Sequence, residues 1–188
     1  MNWQTIIRHY RIKHLPNHRK ETQWFANQPT LADAIAKATM AENHCGKRYR
    51  HQCRIPRQIL RASFQKLYRK EDAIRACESF DELHSLIKLT LKNISGIGEL
   101  YCYDTALRIG AKLNLHPQTV LLHAGTRKGA SLIADIRGRD SLDRDCLPLQ
   151  LRRLPPEQVE DILCIYEDRI KEMHNQSLHR IADKSGSR

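Results

Sequence analysis

The stretch Phe80–Gly110, FDELHSLIKLTLKNISGIGELYCYDTALRIG, decides the fold. Its first half sets Leu83, Leu86, Ile87 and Leu91 on one face at helical spacing, and Ser79 followed by Glu82 is the pattern of a capping box. Ser95–Gly98 interrupts the helix, and a second is expected from Glu99 to about Leu113, with Cys102, Ala106 and Ile109 inward. Gly96 and Gly98 permit positive φ angles and let bare backbone come close to a ligand. The turn feeds a helix N-terminus, where unpaired N–H groups and the positive dipole end favour an anion such as phosphate. Ile97, between the glycines, is expected to plug into the core and hold the hairpin.

Outward from this hairpin the pattern stays helical, and the fold class expected is all-α, a multi-helix globular domain. One helix is expected from Trp3 to about Leu15, stopped by Pro16, and another from Leu31 to about Glu42, capped by Thr30. Arg57–Tyr68 buries Ile59, Leu60, Phe64 and Leu67, and a short helix covers Asp72–Cys77. Val120-Leu121-Leu122 reads equally as strand or helix. Gly125-Thr126 opens a helix to about Ile136, residues 137–150 read as loop, and Pro155-Pro156 starts a last helix burying Val159, Ile162, Leu163, Tyr166 and Ile170. Residues 1–182 are taken as a single domain, with a basic N-terminal part over 1–70, the hairpin at about 80–113 and C-terminal helices over 126–173. Residues 183–188 are expected to form a disordered tail.

The net charge of +11 is placed unevenly. Residues 1–70 hold 15 Lys/Arg against Glu21, Asp33 and Glu42, so essentially the whole excess sits there. The densest run is Lys47-Arg48-Tyr49-Arg50-His51-Gln52-Cys53-Arg54, followed by Arg57. A local excess of this kind is the electrostatic footprint of a protein that meets a polyanion. The N-terminus is broken by Arg8, His9 and Arg11, so neither a secretory signal nor a membrane span is expected; a cytoplasmic location is, nucleoid-associated when DNA-bound. The six cysteines are then read as reduced thiols, mostly buried.

The hairpin resembles the helix-hairpin-helix family of DNA-binding proteins. The parts that carry the resemblance are Leu91 and Ile94, then Gly96-Ile97-Gly98, then the small residue Cys102 with Ala106 and Ile109 behind it. The resemblance covers about thirty residues and implies a grip on the phosphate backbone by Ser95, Gly96, Ile97 and Gly98, largely independent of base sequence. Where many such hairpins carry basic residues after the second glycine, this one carries Glu99 and Leu100. A carboxylate repels an arriving phosphate. Much of the affinity is therefore expected from Lys47, Arg48, Arg50, Arg54 and Arg57.

A second segment, His123-Ala124-Gly125-Thr126-Arg127-Lys128-Gly129, sits roughly where helix-hairpin-helix DNA glycosylases place their catalytic loop. That family's catalytic Asp and Lys are not matched here, so its activity is not carried over. Thr126, Arg127 and Lys128 read as a second phosphate anchor, and Asp104, His123 and Tyr103 as candidates for a catalytic cleft with Arg127. The plainer reading of the same residues is ion pairing and polar contact. His44, Cys45, His51 and Cys53 have the residue types of a zinc site but not the spacing, and no Walker loop or dinucleotide pattern occurs, so no metal and no cofactor is expected.

The partner expected is therefore DNA, double-stranded in preference to single-stranded, with Tyr49 in the basic run as the feature that speaks for unpaired bases. Enzyme activity is left open on the side of none; if present, it would be of base-excision or lyase type. The alternatives are a DNA-processing enzyme of glycosylase-like architecture and a protein–protein interaction module.

Overall fold

In the computed structural model, which describes the backbone of residues 2–185 and the side chains of residues 2–176, helices account for nearly all regular structure. Ten α-helices occur among the described residues: α1 (Trp3–Lys13), α2 (Leu15–Ala26), α3 (Leu31–Thr39), α4 (Arg57–Tyr68), α5 (Glu71–Arg75), α6 (Phe80–Leu91), α7 (Glu99–Leu113), α8 (Ala124–Ala130), α9 (Pro156–Ile165) and α10 (Glu167–Ser185). Two short strands, β1 (Val120–Leu121) and β2 (Ser141–Leu142), pair antiparallel with Val120 opposite Leu142. Among the described residues no helix is long and apolar enough to cross a membrane.

The boundaries follow local chemistry. The Thr30 hydroxyl accepts from Asp33 N while the Asp33 carboxylate accepts from Thr30 N, a reciprocal cap on α3. The Ser79 hydroxyl caps α6 by accepting from Glu82 N. Pro16 does not end the helical region. It falls in the first turn of α2, where no N–H is needed, and only the turn at His14 separates α1 from α2. The helix expected to run on to Ile136 stops at Ala130, and the last expected helix divides at Tyr166 into α9 and α10. The tail expected to be irregular from residue 183 is helical through Ser185, ahead of Gly186; residues 186–188 lie outside the described residues.

The chain gathers into two compact units, residues 17–117 and residues 1–16 with 118–188, where the sequence was read as one domain. Helical periodicity marks the face that is buried but not the helix that buries it. The inward residues of α1, Ile6, Ile7 and Tyr10, join the cluster of Val120, Leu122, Leu142, Leu151, Val159, Ile162, Leu163, Tyr166 and Ile170. The basic residues 1–70 are thus shared between the units rather than forming a lobe of their own.

In the unit of residues 17–117, α7 lies between α3 and α6, and α4 packs on α3 and α6. Ile35, Leu60, Leu67, Leu83, Ile87, Leu91 and Ile109 are fully buried there. Tyr101 and Arg108 of α7 donate to the carbonyls of Thr39 (2.7 Å) and Ala38 (3.3 Å), which supplies partners for the buried C-terminal end of α3. Burial pushes the Tyr101 phenol up to about 12, so it stays a donor at physiological pH.

In the other unit, α8 packs on α9 so closely that a Cβ on Gly129 would stand 2.1 Å from the Leu163 carbonyl oxygen. That atom is backbone and cannot swing away. Gly129→Ala is therefore expected to destabilise this unit by about 1–3 kcal/mol through overpacking. Urea denaturation checks it, and an unchanged midpoint would contradict the close approach.

Candidate nucleic-acid interface

Helices α6 and α7 lie where the sequence reading places two helices joined by a turn. After α6 the chain turns through residues 92–98, with Ile94 N donating to Leu91 O and Ile97 N to Ile94 O, and enters α7. Gly96 has φ +87°, a conformation that costs an L side chain, and a Cβ there would meet Ile59 Cδ1 at 2.9 Å. Gly98 differs from the expectation: its φ is −102°, which any residue adopts, and a Cβ there would meet nothing within 4 Å. What Gly98 provides is open space at the N-cap of α7, which has no side-chain cap. Ser95, Gly96 and Gly98 are exposed and Ile97 is half-buried, so the first-turn N–H groups of α7 face solvent beside bare backbone.

Ile59 ties the hairpin to α4, so the chain that arrives through the basic run passes beside the turn. Between α3 and α4 this run is held by side chains rather than by regular structure. Arg48 is folded inward and donates to the carbonyls of Gln52 (2.6 Å) and Ile55 (2.5 Å). It is a clamp on the loop and not an outward cation, which corrects its place among the phosphate contacts. Tyr49 donates to Glu21 Oε2 (2.6 Å), and the Arg108 guanidinium lies 4.0 Å over its ring. Burial raises its phenol strongly, consistent with a fixed internal donor, and Arg108 occupies one face of the half-buried ring. His44 closes onto Glu21 as well.

Asp104 is the other anchor. Its Oδ2 accepts from His51 Nε2 (2.7 Å), Gln52 Nε2 (2.8 Å) and Arg108 (3.4 Å), while Arg108 also donates to Gln52 Oε1 (2.9 Å). The loop is thereby fastened to the middle of α7. Lys47, Arg50, Arg54 and Arg57 remain exposed, and among the described residues no carboxylate pairs with them.

The catalytic candidates fall in both units. Asp104 and Tyr103 belong to the unit of residues 17–117, where Tyr103 is buried edge-on to Phe80 and His84. His123 belongs to the other unit, where its Nε2 is 2.6 Å from Glu160 Oε1 and 2.8 Å from Thr126 Oγ1. A hydroxyl and a carboxylate on the same ring nitrogen do not form a nucleophile–base–acid relay, which needs them on opposite nitrogens. Thr126 is fully buried, so its hydroxyl is not the surface phosphate anchor expected of it. Arg127 pairs with Asp140 (3.1 Å) and Lys128 lies 3.8 Å from Glu167. Gly125 and Gly129 serve the packing of α8 on α9.

Arg108, Gln52 and Glu21 are the positioning residues that the sequence reading passed over. Arg108 four residues after Asp104 was visible as a pair; that both meet a glutamine more than fifty positions away was not. Of the cysteines, none of the six is in a disulfide, but Cys45, Cys53 and Cys164 are exposed and Cys102 alone is buried, against the expectation of mostly buried thiols. Among the described residues no three His, Cys, Asp or Glu are grouped to hold a metal. Comparison of the chain with protein-family models, curated proteins and solved structures returns no match in any of the three.

His84 lies in the hairpin with its Nε2 buried and without a hydrogen-bond partner, stacked on Phe80. Burial, and next the charge of Lys88, lower its basicity, opposed by Glu99 and Asp81. The unfolded chain therefore takes up a proton that the folded hairpin resists. Stability held above the ordinary histidine value of about 6.5 is lost as pH falls below it, at up to about 1.4 kcal/mol per pH unit. His84→Leu is expected to flatten that part of the curve in urea titrations between pH 7 and 5; parallel curves would contradict the assignment.

Proposed function

We propose that the chain binds duplex DNA by its phosphate backbone, largely without sequence preference, through residues 17–117. The observation that carries this is the combination, in one compact unit, of an uncapped and exposed α7 N-terminus at Ser95–Gly98 with the outward cations Lys47, Arg50, Arg54 and Arg57. The unit holds 17 Lys/Arg against 10 Asp/Glu, a balance of +7. Backbone N–H groups and a helix dipole receive one phosphate, and fixed cations neutralise its neighbours. Glu99 need not oppose this, since its carboxylate is 3.6 Å from Lys88.

The duplex is favoured over single strands because Tyr49 of the basic run and Trp24 of α2 are engaged internally. Tyr49 is bound at both its hydroxyl and its ring, and Trp24 is half-buried against Phe25. Stacking on unpaired bases needs a free ring face. Asp104 has a positioning part in this account, holding the loop that carries the cations. A second reading, protein contact through the hairpin, is favoured by the exposure of Leu89 (61%) and Leu100 (37%).

Fluorescence anisotropy with a labelled duplex across a salt series tests the proposal. Affinity should fall steeply with salt, and Gly98→Val, which meets open space, should weaken binding about tenfold while the chain stays folded. Arg50→Ala with Arg54→Ala should reduce the salt slope by about two. No binding at low salt, or a Gly98→Val variant that binds as well as the wild type, would contradict the proposal. Leu89→Gln is expected to leave DNA binding unchanged.

A further inference from the structure

We infer that the solvent face of α4 is a second contact surface for the same duplex, a rail of cations facing its phosphate backbone. This rests on the backbone-binding reading above. Residues 57–70 contain Arg57, Arg61, Lys66, Arg69 and Lys70 and no acidic residue. All five are exposed, as are Gln58 and Gln65 between them, while Leu60, Ser63 and Leu67 face the core.

Pairing separates these cations from others of their unit. Lys37 pairs with Glu42, Arg75 with Glu71, Lys88 with Glu99 and Arg108 with Asp104. Lys112 is taken up by the carbonyls of Ala26 and Gln28. Among the described residues none of the five, four on α4 and its C-cap and Lys70 at the N-cap of α5, has an acidic partner. Arg57 and Arg61 are one turn apart, and like charges at that spacing repel. A polyanion laid along the helix relieves the repulsion and releases its own counterions.

The dimensions fit a nucleic-acid strand. From Arg57 to Arg69 the helix rises about 18 Å, at 1.5 Å per residue. A duplex presents a phosphate on each strand for about every 3.4 Å of its axis, so a helix of that length lies within reach of several phosphates. Ile59 stands beside Gly96, so the first turn of α4 runs next to the hairpin turn and continues its footprint. A membrane surface is the less suitable partner, since α4 turns its apolar stripe inward and offers bilayer lipid no wedge beyond Tyr68.

The experiment is duplex binding across a salt series by the full chain and by two variants, Arg61→Ala/Lys66→Ala/Arg69→Ala and the independent pair Arg61→Gln/Arg69→Gln. The triple variant should lower the salt slope by about two to three and weaken binding at least tenfold at moderate salt, with the double variant between it and wild type. The exposed side chains can be removed with the far-ultraviolet circular dichroism unchanged, which is measured alongside. Wild-type affinity and slope in both variants, while Arg50→Ala/Arg54→Ala weakens binding, would overturn the rail and leave the hairpin reading standing. No duplex binding by the wild-type chain would overturn both. Binding to vesicles of anionic phospholipid that displaces the duplex and is lost in the triple variant would reassign the face to a membrane and overturn the inference.

Discussion

Arg108 is buried in the body of α7, and a buried guanidinium is costly unless hydrogen-bond acceptors surround it. Asp104, Gln52 Oε1 and the Ala38 carbonyl fill that role, and the Tyr49 ring covers the guanidinium from above. Each partner comes from a different part of the chain: α7 itself, the end of α3, and the loop between α3 and α4. One cation thus determines where the basic loop lies. With the loop fastened from within by Arg108, Arg48 and Glu21, Lys47, Arg50 and Arg54 are left pointing outward on a fixed support. A set of positioned charges contacts phosphates with less ordering cost than the same charges on a mobile segment.

Residues that look alike in sequence do different work. Arg48 and Arg50 are two positions apart in one basic run, yet the first binds carbonyls of its own loop and the second faces solvent. Gly96 and Gly98 likewise differ: one takes a left-handed conformation against Ile59, the other stands at a helix N-cap with open space beside it. The turn needs Gly96 for its shape, while the backbone at Gly98 would admit any residue.

Much of the helical architecture was legible because local signals coincide. Arg57–Tyr68, the Ser79 cap and the hairpin from α6 to α7 carry apolar periodicity, caps and a glycine turn that agree with one another. Pro16 was misread because a proline ends one helix and begins another with equal ease. The division into two units was not legible, since α1 could bury its apolar face on any helix. The partners of the candidate site were the least legible. Asp104 with Gln52 and His51, and His123 with Glu160, are joined across 37 to 53 positions by geometry that no spacing rule encodes. The sequence reading set Asp104 and His123 together on residue type alone, as a carboxylate and an imidazole able to move a proton. The structure gives both a place in internal networks.

The most direct test of the central claim is amide hydrogen exchange of the full chain with and without a duplex at low salt. The account predicts slowed exchange at residues 95–101 and 47–57, reversed when salt is raised. Binding that leaves those amides unchanged, with protection only in residues 118–176, would contradict it.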